Sequence, residues 1–130
     1  MDRVLLDANV LFSAAYRPDS GTAKLWDLED VQLVTSEYAA EEARRSLPEG
    51  DQRLRLEDRL VDVEVSMAMD STQVPGEDVL PEKDRPILRA AVAVGATHLL
   101  TGDVTHFGRL FGDEVSGVLI LRPATYLRSV

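Results

Sequence analysis

The feature that most constrains the fold is a series of short apolar runs separated by segments with helical periodicity. Such runs are typical of strands that are buried on both faces of a parallel sheet. The four predicted strands are Val4 to Leu6, Val31 to Val34, His98 to Leu100 and Val118 to Leu121. Because these strands alternate with helices along the chain, helices should cover both faces of the sheet. The predicted fold class is therefore α/β, a three-layer α/β/α sandwich with a central, mainly parallel sheet.

Residues that start and stop helices delimit the segments between the strands. Ser36 is the predicted N-cap of a helix over 37–47, which a proline and a glycine close. Pro86 lies in the first turn of a strongly apolar helix, and Gly95 is its predicted C-terminal stop. The other predicted elements are helices after Ser20, over 52–60 and from Pro123, an alternating strand over 61–69 and a loop over 70–82.

Length and composition narrow the class of protein. A chain of 130 residues is long enough to bury a core, so a single domain over 1–130 is expected. The absence of cysteine and the presence of only two histidines argue against a zinc site. No apolar stretch approaches the roughly 20 residues that cross a bilayer, and the N-terminus has no signal-peptide pattern. We therefore expect no membrane association and a cytoplasmic location.

The charge balance limits nucleic acid binding without excluding it. The chain has 14 Lys and Arg against 23 Asp and Glu, a net charge of −9 at pH 7. Broad, sequence-independent binding to nucleic acid requires cations that neutralise phosphates, so this class of function is disfavoured. Binding of nucleic acid at a local site is not excluded, because a metal ion or a basic partner can supply positive charge.

Acidic residues stand at the places where a parallel sheet binds its ligands. Asp7 directly follows the first strand, and Asp103 follows the third after Thr-Gly. Ligands of such sheets lie beyond the carboxyl ends of the strands. Either residue alone could be a turn or capping residue, but the match at two strand ends favours a shared site. Asp84, at the mouth of the apolar helix, is either an N-cap or a third acid of that site.

The helix after Ser36 offers two further acids, which angular spacing distinguishes. The stripe predicted to face inward, at about 100° per residue, consists of Tyr38, Ala39, Ala43 and Leu47. Glu41 points away from this stripe and has Arg45 as its predicted ion-pair partner. Glu42 falls on the flank of the stripe. Because an acid against a buried face is costly unless it is paired, protonated or bound to metal, Glu42 is the functional candidate.

Three stretches together resemble a known family: "VLLDANVLF", "TSEYAAEEARRSL" and "EKDRPILRAAVAVGATHLLTGDVTHF". Their order and spacing resemble the PIN-domain ribonucleases, which include the VapC-type toxins of bacterial toxin–antitoxin pairs. The resemblance covers nearly the whole chain, and its last stretch is the most specific. It implies a divalent-metal-dependent endoribonuclease that hydrolyses RNA phosphodiester bonds. It also implies a toxin role, an antitoxin protein as partner and a homodimer.

The resemblance also assigns site residues. The implied catalytic and metal-binding quartet is Asp7, Glu42, Asp84 and Asp103, and the implied supporting polar residues are Asn9, Ser36 and Thr101. Asp-Ala-Asn over 7–9 departs from the more usual Asp-Thr-Asn, which removes a hydroxyl but keeps the acid. His106 and Arg85 are candidates for substrate contact, although a solvated loop histidine is the simpler interpretation of His106.

Elementary chemistry agrees with a metal at such a site. Clustered carboxylates raise one another's pKa unless a cation compensates them. Mg²⁺ or Mn²⁺ is the expected cofactor, because both are hard cations that take oxygen ligands. A metal held in this way can generate hydroxide from water and stabilise charge on a phosphodiester, so no protein nucleophile is required.

Alternative functions remain open from the sequence. One is another metal-dependent α/β phosphohydrolase, but a haloacid-dehalogenase-type enzyme has a second Asp where Asn9 stands, and no Gly-rich phosphate loop is present. A receiver domain requires a late strand-end lysine, which neither Lys24 nor Lys83 provides. The other is a catalytically weak PIN-like binding or scaffold module. The arginines and leucines of the central helices could contact phosphate or form a docking surface for an antitoxin or a second subunit.

Overall fold

The computed structural model describes residues 1–67 and 72–130. Within these ranges, six strands form one sheet in the order β3-β2-β1-β4-β6-β5. The strands are β1 (Asp2–Leu6), β2 (Val31–Ser36), β3 (Glu64–Ser66), β4 (His98–Leu100), β5 (Glu114–Val115) and β6 (Val118–Leu121). All neighbours are parallel except β5 and β6, which form an antiparallel hairpin. The mainly parallel sheet is therefore confirmed, and the four predicted strands are β1, β2, β4 and β6.

Helices connect the strands and cover the sheet. The α-helices are α1 (Ala8–Tyr16), α2 (Glu37–Ser46), α3 (Asp51–Val61), α4 (Arg85–Ala93), α5 (Val104–Phe107) and α6 (Pro123–Ser129). Short 3₁₀ helices span Gly21–Asp27, Glu77–Val79, Glu82–Asp84 and Gly108–Leu110. Within the described ranges, no helix combines the length and the apolar character needed to cross a bilayer.

The central strand β1 explains why a short apolar run forms the middle of the sheet. Val4 and Leu6 pack with residues of α1, α2, α3 and α6, while Leu5 packs on the opposite face with residues of α4 and α5. All three side chains are fully buried. Full burial of each stabilises the fold by roughly 1.5–3 kcal/mol. The three-layer arrangement is therefore built around a strand without a polar face.

Capping signals place two helices as predicted. The hydroxyl Oγ of Ser36 accepts a hydrogen bond from the backbone N–H of Ala39 at 3.0 Å, which confirms the N-cap of α2. Helix α4 ends before Gly95, whose φ of 69° lies in the left-handed region that favours glycine. The local sequence is thus sufficient to fix these helix ends.

Several predicted elements differ from the observed ones. The strand predicted over 61–69 is wrong at its start, because α3 continues to Val61 and β3 covers only Glu64–Ser66; its residues 68–69 lie outside the described residues. Residues 70–71 of the predicted loop also lie outside them, and 72–82 contain 3₁₀ turns. The segment after Ser20 is a 3₁₀ helix rather than an α-helix. Helix α1 was not predicted, and the polar stretch after Asp103 folds into α5.

The predicted inward stripe of α2 is wrong at one residue. Tyr38 is 63% exposed, whereas Ala39, Ala40 and Ala43 are buried. Alanines at these positions place the centre of the buried face between Ala40 and Ala43, so the large aromatic ring points to solvent. The predicted ion pair of Glu41 is also different, since Arg44 rather than Arg45 contacts Glu41, at 2.6 Å.

Candidate functional site

Sheet topology places a crevice between the carboxyl ends of β1 and β4. From β1 the chain proceeds to β2 and β3 on one side of the sheet, and β4 then lies on the other side of β1. Such a reversal of strand order is where open α/β sheets bind ligands. Leu6 and Leu100 are register partners, and the backbone N–H of Asp7 donates to the carbonyl of Leu100 at 3.1 Å. The residues that follow the two strands therefore start side by side.

Asp7 is held by a hydrogen-bond network across this crevice. Its Oδ1 accepts from the backbone N–H of Ala8 at 2.8 Å, which caps α1. Its Oδ2 accepts from the hydroxyl of Thr101 at 2.9 Å, and the amide of Asn9 lies 3.4 Å from the same oxygen. Thr101 is fully buried, so its hydroxyl depends on these partners. The network fixes the orientation of the Asp7 carboxylate.

The same threonine connects Asp7 to Asp103. The backbone N–H of Asp103 donates to Oγ1 of Thr101 at 3.2 Å, and Asn9 donates to that oxygen at 3.2 Å. The Oδ1 of Asn9 accepts from the backbone N–H of Gly102 at 2.7 Å. A Cβ at position 102 would lie 3.3 Å from this Oδ1, which explains why glycine suits the close approach. Asn9 and Thr101 thus bind the two strand ends together.

A second group of side chains meets beside Asp103. Its Oδ1 accepts from the backbone N–H of His106 at 3.0 Å and caps α5, while its Oδ2 lies 2.9 Å from Nδ1 of the same histidine. The Oδ2 of Asp84 also lies 2.9 Å from that Nδ1. Asp84, Asp103 and His106 each offer one ligand atom, and these atoms lie within 4.8 Å of one another. Asp84 occupies the N-cap position of α4, as the first alternative predicted, but its side chain makes no capping hydrogen bond to that helix.

His106 is not the solvated loop residue that the simpler interpretation expected. It lies in α5 with 28% of its side chain exposed. Because His106 lies one helical turn after Asp103, its ring contacts the Asp103 carboxylate. The fully buried Phe107 anchors this turn. The i, i+3 spacing of Asp103 and His106 was the available signal, but a helix of four residues gives no periodicity from which to read it.

Glu42 is brought near the site but is exposed. Its helix starts at Ser36, which is buried at the end of β2, next to β1 in the sheet. The expectation that Glu42 is held against a buried face is wrong, since Glu42 shares the exposed side of α2 with Tyr38. Its charge nevertheless contributes to raising the pKa of Asp7.

Electrostatics identify Asp7 as an acid that lacks a cation. Burial is the largest cause that raises the pKa of Asp7 above its ordinary value, and the nearby charges of Glu42 and Asp84 raise it further. The hydrogen bonds from Ala8 and Thr101 act in the opposite direction without cancelling these effects. A positive charge in the crevice would relieve this repulsion.

The donor atoms fit a hard divalent metal ion. Within the described residues, Oδ2 of Asp84 and Nδ1 of His106 are buried atoms without a hydrogen-bond partner. Buried polar atoms are normally satisfied, so such atoms call for a ligand. The carboxylates of Asp7, Asp84 and Asp103 provide the oxygen donors that Mg²⁺ and Mn²⁺ prefer.

Several of the remaining basic candidates contact other groups of the protein. Nε of Arg85 donates to the carbonyl of Leu80 at 3.1 Å. On the central helices, Arg44 and Arg53 both contact Glu57, at 2.9 and 2.8 Å. These contacts compete with the predicted role of the helix arginines as phosphate contacts.

The chain is similar to known proteins in sequence and in fold. A family model described as PIN domain matches residues 3–105. The fold is similar to a chain in the crystal structure of VapBC2 from Rickettsia felis bound to a DNA fragment from their promoter, with a TM-score of 0.69 and 15% identity, over 92% of this chain and 98% of that chain. It is also similar to a chain of FitAcB from Neisseria gonorrhoeae, with a TM-score of 0.53 and 20% identity, over 93% and 98% of the two chains. No curated protein matches the sequence. At these identities the structural likeness shows the fold alone.

Proposed function

Because the chain belongs to the PIN-domain family, whose members are generally nucleases, we propose that it is a divalent-metal-dependent endoribonuclease that hydrolyses RNA phosphodiester bonds. The observation that carries this proposal is the meeting of Asp84, Asp103 and His106 beyond β1 and β4. Asp7 is linked to this group through Thr101, and no basic side chain contacts Asp7 within the described part of the chain. A group of acids that hydrogen bonds hold in place, and in which Asp7 has only acids as charged neighbours, is suited to binding a cation.

Each residue of the site has a distinct proposed task. Asp7, Asp84 and Asp103 hold Mg²⁺ or Mn²⁺, and Glu42 acts from the exposed edge, where its charge already affects Asp7. When bound, the metal supplies hydroxide from a coordinated water and stabilises charge on the phosphate. Asn9 and Thr101 orient the carboxylates through the hydrogen bonds described above, and Ser36 fixes the start of the helix that carries Glu42.

We also propose that the nuclease is the toxin of a toxin–antitoxin pair. The sequence resembles the VapC-type toxins, and the likeness of fold to a chain of VapBC2 and a chain of FitAcB over nearly the whole length supports this role. On α3, Leu56 and Leu60 are buried and Leu54 is exposed, so Leu54 is the leucine of this helix that is available to an antitoxin or to a second subunit of a homodimer.

One observation favours a second candidate, a PIN-like binding or scaffold module with weak catalysis. The net charge of −9 and the engagement of Arg44 and Arg53 by Glu57 leave few cations for general RNA binding. An activity measurement separates this module from the nuclease.

The test is RNA cleavage by the purified protein with Mn²⁺, compared with Asp103→Asn. A pool of mixed single-stranded and structured RNA is the substrate, and a DNA pool of the same lengths tests the preference for RNA. The matched control is Asp58→Asn, which removes an exposed carboxylate of α3. We expect Asp103→Asn to cleave at least about 100-fold more slowly, because loss of a metal ligand removes several kcal/mol of transition-state stabilisation. Equal cleavage by the parent protein and Asp103→Asn, or none by either, would overturn the catalytic proposal.

A further inference from the structure

We propose that His106 is a ligand of the metal at this site, and that its imidazole nitrogen makes the site prefer Mn²⁺ over Mg²⁺. This inference rests on the proposed metal centre and deepens it. His106 lies just beyond residues 3–105, over which the family model matches, so the assignment comes from the geometry of this chain.

The first argument is the distance between the donor atoms. Nδ1 of His106 lies 2.9 Å from Oδ2 of Asp84 and 2.9 Å from Oδ2 of Asp103. Adjacent ligands of an octahedral ion with metal–ligand distances of about 2.1 Å are separated by about 3 Å. The distances from this nitrogen to the two oxygens therefore match the distance between neighbouring ligands of one metal ion.

The second argument is that these contacts are not explained as hydrogen bonds. Nδ1 of His106 and Oδ2 of Asp84 are both buried, and in the described part of the molecule neither atom has a hydrogen-bond partner, although they lie only 2.9 Å apart. Burial without a partner is costly for a nitrogen and for a carboxylate oxygen. A cation shared by the two atoms satisfies both of them.

The third argument is that the fold fixes the histidine in this position. The backbone N–H of His106 donates to Oδ1 of Asp103, and the backbone N–H of Phe107 donates to the carbonyl of Asp103 at 3.0 Å. Phe107 is fully buried in the core below α5. The ring is thus anchored by the residues on both sides of it, as a pre-organised ligand requires.

The selectivity follows from ligand chemistry. Mg²⁺ is bound almost entirely by oxygen and retains several waters, whereas imidazole nitrogen suits transition metals. One nitrogen among carboxylate oxygens therefore favours Mn²⁺, which accepts both donor types, over Mg²⁺. Without the nitrogen, the remaining oxygen donors distinguish the two ions less.

The test measures metal binding rather than cleavage. Mn²⁺ and Mg²⁺ affinities are determined by calorimetry for the parent protein, His106→Gln and His106→Asn, and electron spin echo modulation of bound Mn²⁺ detects a directly coordinated ¹⁴N. His98→Gln is the matched control, since His98 is the other histidine and faces Thr97 and Tyr126 instead. Melting in EDTA verifies that each variant is folded, and the second His106 variant replaces the first if that one does not fold.

We expect ¹⁴N modulation in the parent protein and in His98→Gln, and its loss in the His106 variants. We also expect Mn²⁺ affinity to fall by at least about tenfold in the His106 variants, because even residues outside the first ligand shell change metal affinity by this much. Mg²⁺ affinity should change much less. Unchanged Mn²⁺ affinity without ¹⁴N modulation in the parent would overturn the inference while leaving the metal centre intact. Absence of Mn²⁺ and Mg²⁺ binding in every variant and in the parent would overturn the proposed metal centre itself.

Discussion

Glu77 and Asp7 are acids with opposite surroundings, and their pKa values are shifted in opposite directions. Glu77 is 2% exposed, and Arg89 donates to both of its oxygens, at 2.7 and 2.9 Å, while the backbone N–H of Val74 donates at 3.1 Å. Arg89 is the largest cause that lowers the pKa of Glu77. Burial instead raises the pKa of Asp7, and its charged neighbours are the acids Glu42 and Asp84.

The difference distinguishes a structural acid, Glu77, from a proposed metal-binding acid, Asp7. Glu77 receives its counter-charge from α4 when the chain folds, and it ties the loop before α4 to that helix. Asp7 receives orientation from Ala8 and Thr101 but no counter-charge from the described residues, so a compensating cation would have to come from outside the protein. Three substitutions test this difference between Glu77 and Asp7.

The largest effect on stability is expected for Glu77→Gln. The substitution leaves Arg89, whose side chain is 20% exposed, opposite a neutral group, and loss of one partner of a buried pair is strongly destabilising. The matched control is Glu57→Gln, whose side chain is 42% exposed in its contacts with Arg44 and Arg53, and which should lower the melting temperature less. Equal melting temperatures for Glu77→Gln and the parent would contradict a structural role.

The pH dependence of that effect has a defined sign. Because the pKa of folded Glu77 is lowered, its contribution is complete above the ordinary value of 4.5 and is lost as the pH falls through the folded value. The difference in melting temperature between the parent and Glu77→Gln should therefore shrink below pH 4.5.

A smaller effect, of a different kind, is expected for Thr101→Val. The substitution removes the buried hydroxyl between Asp7 and Asp103, at a cost of about 1–3 kcal/mol. Thr35→Val is the control, because that hydroxyl is also fully buried and donates to the carbonyl of Leu6 at 2.8 Å. Both variants should lose stability, but only Thr101→Val should weaken Mn²⁺ binding, by about tenfold. Equal Mn²⁺ affinity in the two variants would show that Thr101 does not position the site.

The smallest effect on stability is expected for Asp7→Asn in the absence of metal, and this substitution should increase the stability. An acid whose folded pKa is raised destabilises the folded protein at every pH above its ordinary value of 3.8, because the folded state resists ionisation. Asp7→Asn should therefore raise the melting temperature in EDTA at pH 7, and the gain should disappear below pH 3.8. With Mn²⁺ present, the order should reverse. A loss of stability in EDTA would mean that Asp7 is structural.

Much of the fold could be predicted because each predicted central strand carries its own signal. The apolar run from Val4 to Leu6 has no polar face, so it has to lie between two helical layers. Helix α1 was not predicted, although the side chain of Asp7 caps it. The error at Tyr38 has another cause: tyrosine is the larger apolar residue in the pattern, but the small alanines pack against the sheet.

The acids of the candidate site could be predicted where they follow a strand or precede a helix with a clear start, as Asp84 does. Asp7 and Asp103 follow from the rule that ligands bind beyond the carboxyl ends of parallel strands, and the structure brings the two together through Thr101. The position of His106 depends on one short helical turn whose geometry is set by the burial of Phe107. Contacts of this kind arise from the tertiary fold and leave little local pattern in the sequence.

The helix caps at Asp7 and Asp103 have a consequence for how a metal would be coordinated. In each residue, Oδ1 accepts a backbone N–H at the start of a helix, and only Oδ2 faces the other site residues. These hydrogen bonds favour binding of a metal ion through Oδ2 of each carboxylate. An ion that took one oxygen from each would keep more of its positions for water and for a phosphate oxygen than one held by bidentate carboxylates. The same hydrogen bonds that begin two helices would thus keep a bound metal ion accessible to a phosphate group.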